Sequence, residues 1–145
     1  MKKALILENI RSAYNVGNII RTADALGYDV ILAGYSPSPF ENPKVVKSSL
    51  AEKSVNIKTF YNPVEALSYA KKEYYLVAEI TDDAIDIDEK KLIENQNFAV
   101  VFNEVDVTLE TLEKLDKVFF IPMKTKESLN VCEAAAIFMY ALQSC

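Results

Sequence analysis

The 145-residue chain contains no histidine and no tryptophan, and only three glycines and two cysteines. Lack of histidine excludes the usual general base near neutral pH, the commonest zinc ligand and any Ser-His triad. Any chemistry must therefore come from Arg, Lys, Asp, Glu, Ser, Thr, Tyr or a bound cofactor. Cys132 and Cys145 lie on or just beyond one helix, a spacing that offers neither a disulfide framework nor a metal site. No apolar run approaches the ~18 residues that span a bilayer, so no membrane association is expected. The N-terminus MKKALILEN lacks the apolar core and cleavage site of a leader and reads as a first strand of a cytoplasmic protein. There is neither a P-loop nor a GxGxxG turn.

What is present is a chain that is 50% hydrophobic and 26% charged, consistent with one domain over residues 1–145. Apolar β-forming runs mark six strands, at Lys3–Glu8, Asp29–Gly34, Val55–Phe60, Tyr74–Ile80, Phe98–Phe102 and Val118–Ile121. Helical periodicity covers Asn15–Leu26, a stretch from about Lys44, Val64–Lys72, Glu89–Glu94, Leu109–Leu115 and Leu129–Leu142, the last with Ser128 as its N-cap. Asn9–Tyr14 is expected as a polar turn, and the acidic run DDAIDIDE as a loop. Continuous hydrophobic strands separated by helices indicate an α/β fold with a parallel sheet covered on both faces. The net charge of −5 is unevenly spread: residues 1–72 stand at +4 and residues 73–145 at −9. Either a polyanionic partner meets the amino-terminal half, or the asymmetry is a solvated surface.

Three polar clusters stand where such a sheet binds ligands, beyond the carboxyl ends of strands. In NVGNIIRTADALG, Asn15, Asn18 and Thr22 share one helix face and Arg21 follows six residues after Asn15. Arg11 and Arg21 are the only arginines beside fourteen lysines, which suits fork-like phosphate recognition, although two ordinary surface arginines would look the same. In FAVVFNEVDV an apolar strand ends at Asn103-Glu104, and in IPMKTKESLNV a proline-terminated strand leads to Ser128 and Asn130 at a helix start.

These clusters resemble, in order, the three signatures of the SPOUT-class RNA methyltransferases, specifically the TrmH/SpoU-like 2'-O-ribose group, with SLNV intact at Ser128–Val131. The resemblance covers residues 9–136. It implies a single-domain SPOUT (α/β knot) fold with a deep trefoil knot in the last third of the chain, and homodimers; from the length of 145 residues no separate RNA-binding domain is expected. The implied activity is transfer of the S-adenosyl-L-methionine methyl group to a ribose 2'-hydroxyl of tRNA or rRNA, without a metal. By the same resemblance, Arg21 would be catalytic, with Asn15, Glu104, Ser128 and Asn130 orienting it and the ribose. Ala78, Glu79, Phe102, Asn103, Glu104, Ile121, Met123, Ser128 and Leu129 would hold the cofactor, and Arg11, Arg21, Lys44 and Lys47 would contact RNA.

The chain departs from the family pattern by four glycines: before Asn103-Glu104, a few residues after Glu104, in the loop before ESLNV, and between Leu50 and Ala51. Glycine lets a backbone approach a ligand closely, so their loss favours an alternative in which a knotted dimer only binds RNA or protein. The losses are either true deletions that tighten the cofactor loops, or glycines dropped in translating the gene to sequence, as where the source reads a stop codon as glycine. True deletions predict an intact mass of 16.3 kDa for protein made from that gene; a product heavier by whole glycine residues excludes them.

Overall fold

The computed structural model describes residues 2–39, 41–45, 56–79, 85–86, 96–104, 108–120 and 130–143. Seven strands form one sheet: β1 (Lys3–Glu8), β2 (Asp29–Ala33), β3 (Ile57–Phe60), β4 (Tyr75–Glu79), β5 (Ile85–Asp86), β6 (Phe98–Asn103) and β7 (Lys117–Phe120). Among the described residues the full helices are α1 (Ala13–Leu26), α2 (Pro63–Lys71), α3 (Leu109–Lys114) and α4 (Val131–Leu142). The strand order is β3-β2-β1-β6-β4-β7-β5 and every pairing is parallel. The chain thus winds outward from β1 to β3, then crosses to build the other half, and the winding reverses between β1 and β6. That reversal is the point at which open parallel sheets form their ligand crevice.

Both faces of the central strands are buried, and alternate residues feed two separate cores, as a two-residue side-chain period requires. Leu5, Leu7, Val30, Leu32, Phe98 and Val100 pack with Val16, Ile19, Ile20 and Ala23 of α1 and with Ala134, Ala135, Phe138 and Leu142 of α4. Ala4, Ile6, Ile31, Ala33, Leu76, Ala99 and Val101 pack with Ala66, Leu67 and Ala70 of α2. On the first face α1 and α4 run side by side in the same direction. The Cys132 thiol bonds the Asn15 carbonyl near both starts, and the Tyr28 hydroxyl donates to the Met139 carbonyl (3.0 Å) beyond the middle of α4.

Local chemistry explains the boundaries and corrects several expectations. The polar turn ends at Ser12, because its hydroxyl accepts from Asn15 N (3.1 Å) and caps a helix that begins at Ala13. Gly27 closes α1 in the left-handed region (φ 79°). Asn62 caps α2, with Pro63 at its first position. The cap of α4 is Asn130, whose side chain accepts from Cys132 N at 2.8 Å, and not Ser128, which lies outside the described residues. Part of the acidic run, Ile85–Asp86, is an edge strand on β7 and not loop. Strand β2 stops at Ala33 because Gly34 turns with φ 69°. Residues 43–45 are helical, while the Glu89–Glu94 helix and, in the last third of the chain where the knot is expected, residues 105–107 and 121–129 lie outside the described residues.

A Cβ at Gly34 would collide with the Asn9 side-chain oxygen, whereas one at Gly27 would meet open space. Gly27→Ala is expected to cost about 1–2 kcal/mol from the left-handed backbone alone. Gly34→Ala should cost more than that, read as the larger drop in urea midpoint. Equal midpoints for the two variants would contradict the packing of Asn9 on this turn.

Candidate active site

The loop between β1 and α1 is locked to the end of β2 before it reaches the crevice. Asn9 adopts a positive φ (54°), donates its N–H to the Ala33 carbonyl (3.0 Å) and accepts from Tyr35 N on its side chain (3.1 Å). One residue on, Ile10 N donates to the Ser36 hydroxyl, which itself donates to the Leu7 carbonyl, both at 2.8 Å. Buried backbone groups of an irregular turn are thereby satisfied, so the turn holds one shape. Arg11 and Asn15 are carried on it to the rim of the sheet.

At the reversal point the first two polar clusters meet each other and the start of α4. Glu104, just past β6, accepts from the Asn15 amide (3.2 Å) with one carboxylate oxygen and from Arg11 N (3.3 Å) with the other. From the opposite side, the Cys132 thiol donates to the Asn15 side-chain oxygen (3.2 Å) and to its carbonyl (3.3 Å). Asn130, capping α4, fixes the turn that carries Cys132. The orientation of the Asn15 amide is self-consistent: its NH2 faces a carboxylate that can only accept, and its oxygen faces a thiol that can donate. Burial, with help from Glu104 and Glu133, pushes the Cys132 thiol up to about 11, so it stays a protonated donor at physiological pH.

Beneath this cluster lies a second carboxylate. Glu8 ends β1 opposite Asn103 in the β1–β6 register and is buried. The Thr111 hydroxyl donates to both its oxygens, at 3.1 and 3.2 Å. Burial raises the Glu8 carboxyl above its ordinary value, opposed by hydrogen bonds from Thr111 and Asn103. Among the described residues the side-chain oxygen of Asn103 is buried without a hydrogen-bond partner.

The structure therefore brings together Asn15, Glu104, Arg11 and, through Cys132, Asn130. It does not bring Arg21 to them within the chain. Arg21 is exposed on α1, about 9 Å along the axis from Asn15, and has no hydrogen bond or ion pair among the described residues. Ala78 and Phe102 are buried near the ends of β4 and β6, and the backbone of Glu79 ends β4. Lys44 is exposed beyond β2. Lys47, Ile121, Met123, Ser128 and Leu129 lie outside the described residues. Sequence reasoning missed Cys132, which it treated only as a potential disulfide or ligand, although its place directly after SLNV was a usable signal. It also missed Glu8, Asn9 and Ser36, whose partners are remote in sequence. Among the described residues no group of His, Cys, Asp or Glu could hold a metal ion, and no helix is long and apolar enough to cross a membrane.

A sequence profile of the SpoU rRNA Methylase family matches residues 2–140. The chain is 31% identical to the 23S rRNA (guanosine(2553)-2'-O)-methyltransferase RlmP of Bacillus subtilis over 98% of its own length and 58% of that protein's. This alignment runs over 152 positions, longer than the chain, so the relative carries residues that are missing here. Identity to the tRNA (guanosine(18)-2'-O)-methyltransferase of Escherichia coli K12 is 28%, over 94% of this chain and 61% of the relative. The chain thus spans about three fifths of these curated relatives. The fold matches the AdoMet-bound rRNA methyltransferase from Sinorhizobium meliloti with a TM-score of 0.85 at 22% identity, covering 99% of this chain and 56% of that one.

The buried Glu8 generates a pH signature. Its folded pKa lies above the unfolded one, so the native state binds more protons from about 4.5 upward and stability falls as pH rises through that window. Glu8→Gln keeps an acceptor for Thr111 but does not titrate. In urea unfolding across a pH series, the parent should lose stability relative to Glu8→Gln as pH rises above about 4.5; parallel curves would show that this carboxyl is not held against its charge.

Proposed function

The chain belongs to the SpoU rRNA methylase family, and from that membership we propose that it is an S-adenosyl-L-methionine-dependent methyltransferase acting on a ribose 2'-hydroxyl of tRNA or rRNA in the cytoplasm. Residues 1–145 would form one methyltransferase domain, with the segment after β7 threaded into a trefoil knot. The observation that carries the reading is the meeting of Asn15, Glu104 and the capped start of α4 where the sheet reverses its winding.

Bound there, the cofactor supplies a methyl carbon already activated by its sulfonium. The protein has mainly to align the 2'-oxygen for in-line displacement and to manage its proton. The residues fit such a group. Ala78 and Phe102 are buried near the ends of β4 and β6, and the Asn103 oxygen, without a partner among the described residues, is an acceptor suited to an amino or hydroxyl donor. Backbone groups of Ala78, Glu79, Phe102, Asn103, Ile121, Met123 and Leu129 would enclose adenine and ribose. Glu104, Ser128 and Asn130 would orient the substrate sugar, with Asn15 fixed between its two partners. Arg21 would stay charged, as guanidinium does, and stabilise the developing alkoxide while the proton leaves to phosphate or water.

Arg21 reaches a site through a second copy of the chain. Along the paired helices, Tyr14 and Arg21 of α1 and Ile137 and Tyr140 of α4 are exposed. Large apolar groups on two neighbouring helices suit a homodimer face. In that dimer Arg21 of one protomer would stand opposite the partner's cofactor loop, with Arg11, Lys44 and Lys47 on the RNA side.

For Arg21→Ala, methyl transfer from labelled cofactor to RNA is expected to fall by about two orders of magnitude or more, the scale of losing one transition-state charge contact. Cofactor affinity by calorimetry should be nearly kept. Unchanged turnover would remove Arg21 from the site, and absence of cofactor binding by the parent would overturn the methyltransferase reading.

A further inference from the structure

The carboxyl rim of the sheet is divided. The ends of β6, β4 and β7 carry the residues proposed for the cofactor. The ends of β1, β2 and β3, aligned in register at Glu8, Ala33 and Phe60, carry Arg11, Tyr35 and Tyr61. Of the eight tyrosines in the chain, four are exposed. Tyr14 and Tyr140 belong to the helix pair, whereas Tyr35 (54% exposed) and Tyr61 (74%) follow the adjacent ends of β2 and β3 on this half of the rim.

Both rings are held at their bases, and Tyr61 also at its tip. Tyr35 N is bonded to Asn9, Gly34 N donates to the Phe60 carbonyl (2.9 Å), and Tyr61 leads directly into the Asn62 cap of α2. The Tyr61 hydroxyl donates to a Glu41 carboxylate oxygen at 2.6 Å, and the Arg11 guanidinium lies near the Tyr35 hydroxyl. With the Tyr61 tip engaged, what that ring offers a ligand is its face. A ring whose tip is tied has less rotamer freedom to lose on stacking.

The surface is also continuous with the candidate active site. Arg11 lies near Tyr35 with its side chain and bonds Glu104 through its backbone, and Glu104 bonds Asn15. Three strand intervals, roughly 14 Å, separate the ends of β3 and β6. The partner chemistry follows from charge as well as from the rings. This rim belongs to the half of the chain that stands at +4, and exposed Lys44 follows Tyr35 in sequence.

We propose that Tyr35 and Tyr61 form a stacking platform for unpaired RNA bases flanking the methylated nucleotide, so that the substrate presents its ribose from a loop or single strand and not from a paired stem. The proposal rests on the methyltransferase reading and deepens it. Because it offers ring faces, the platform accepts any base face and contributes affinity without base identity.

The test titrates a fluorescently labelled RNA hairpin with an unpaired loop, and a fully paired duplex of equal length, into parent protein and two double variants. Tyr35→Ala with Tyr61→Ala should weaken hairpin binding roughly tenfold or more and leave duplex binding nearly unchanged. Tyr35→Phe with Tyr61→Phe, which keeps the rings, should retain parent affinity within about threefold. Circular dichroism and cofactor calorimetry on the same variants should match the parent. The platform is overturned if the double alanine variant binds the hairpin as the parent does, if it loses hairpin and duplex equally, if phenylalanine fails to rescue, or if the parent does not bind the hairpin. It is also overturned if the rings govern self-association in sedimentation without RNA, which would reassign the surface to a protein contact. A parent that binds the hairpin through these rings but does not bind the cofactor would leave the platform standing and remove the methyltransferase reading.

Discussion

The amide of Asn15 is the joint on which the site depends. It is gripped by a carboxylate from the end of β6 and by a thiol from the first turn of α4, so a group on the second element of the chain is oriented by its last two functional segments. Each grip specifies the other. Were the amide turned over, its oxygen would face Glu104 and its NH2 would face a thiol, losing both contacts at once. The parallel docking of α1 and α4 sets the distance over which this can work, because Tyr28 and Met139 fix the same two helices further along.

A further layer lies below, where Glu8 and Asn103 end adjacent strands. A buried carboxyl and an amide oxygen that no described residue engages are costly features for a core, and both sit where the winding reverses. The polar cost is confined to one rim while the cores on either side of the sheet are dry: Leu5, Leu7 and Phe98 on one face, Ile6 and Val101 on the other. Rigidity of the strands is thus separated from chemistry at their ends.

Much of this was legible in the sequence because the strands are covered on both faces. A run such as Phe98–Phe102 has no polar alternation to confuse with a surface strand, and its abrupt end at Asn103-Glu104 marks the rim. The pair Asn15 and Glu104 could be named from spacing and family pattern together. Other features could not be read. Ile85–Asp86 is too short for any periodicity and takes its identity from β7. Ser128 and Asn130 are both good caps two residues apart, and only the reach of the Asn130 side chain to Cys132 N selects between them. The insertion of β6 between β1 and β4, and the Ser36 hydroxyl that bridges Leu7 and Ile10, depend on contacts remote in sequence, where local pattern carries no information.

The same strand order has a consequence during synthesis. As the polypeptide leaves the ribosome, the β3-β2-β1 half is made first, and β1 then presents a bare hydrogen-bonding edge with an uncovered apolar face until β6, some ninety residues later, and finally α4 arrive. The nascent half is sticky by construction, and its solubility while waiting rests on chaperone cover or on rapid completion of the chain. Substitutions that slow the docking of α4 should therefore lower the yield of native protein even where the finished molecule tolerates them.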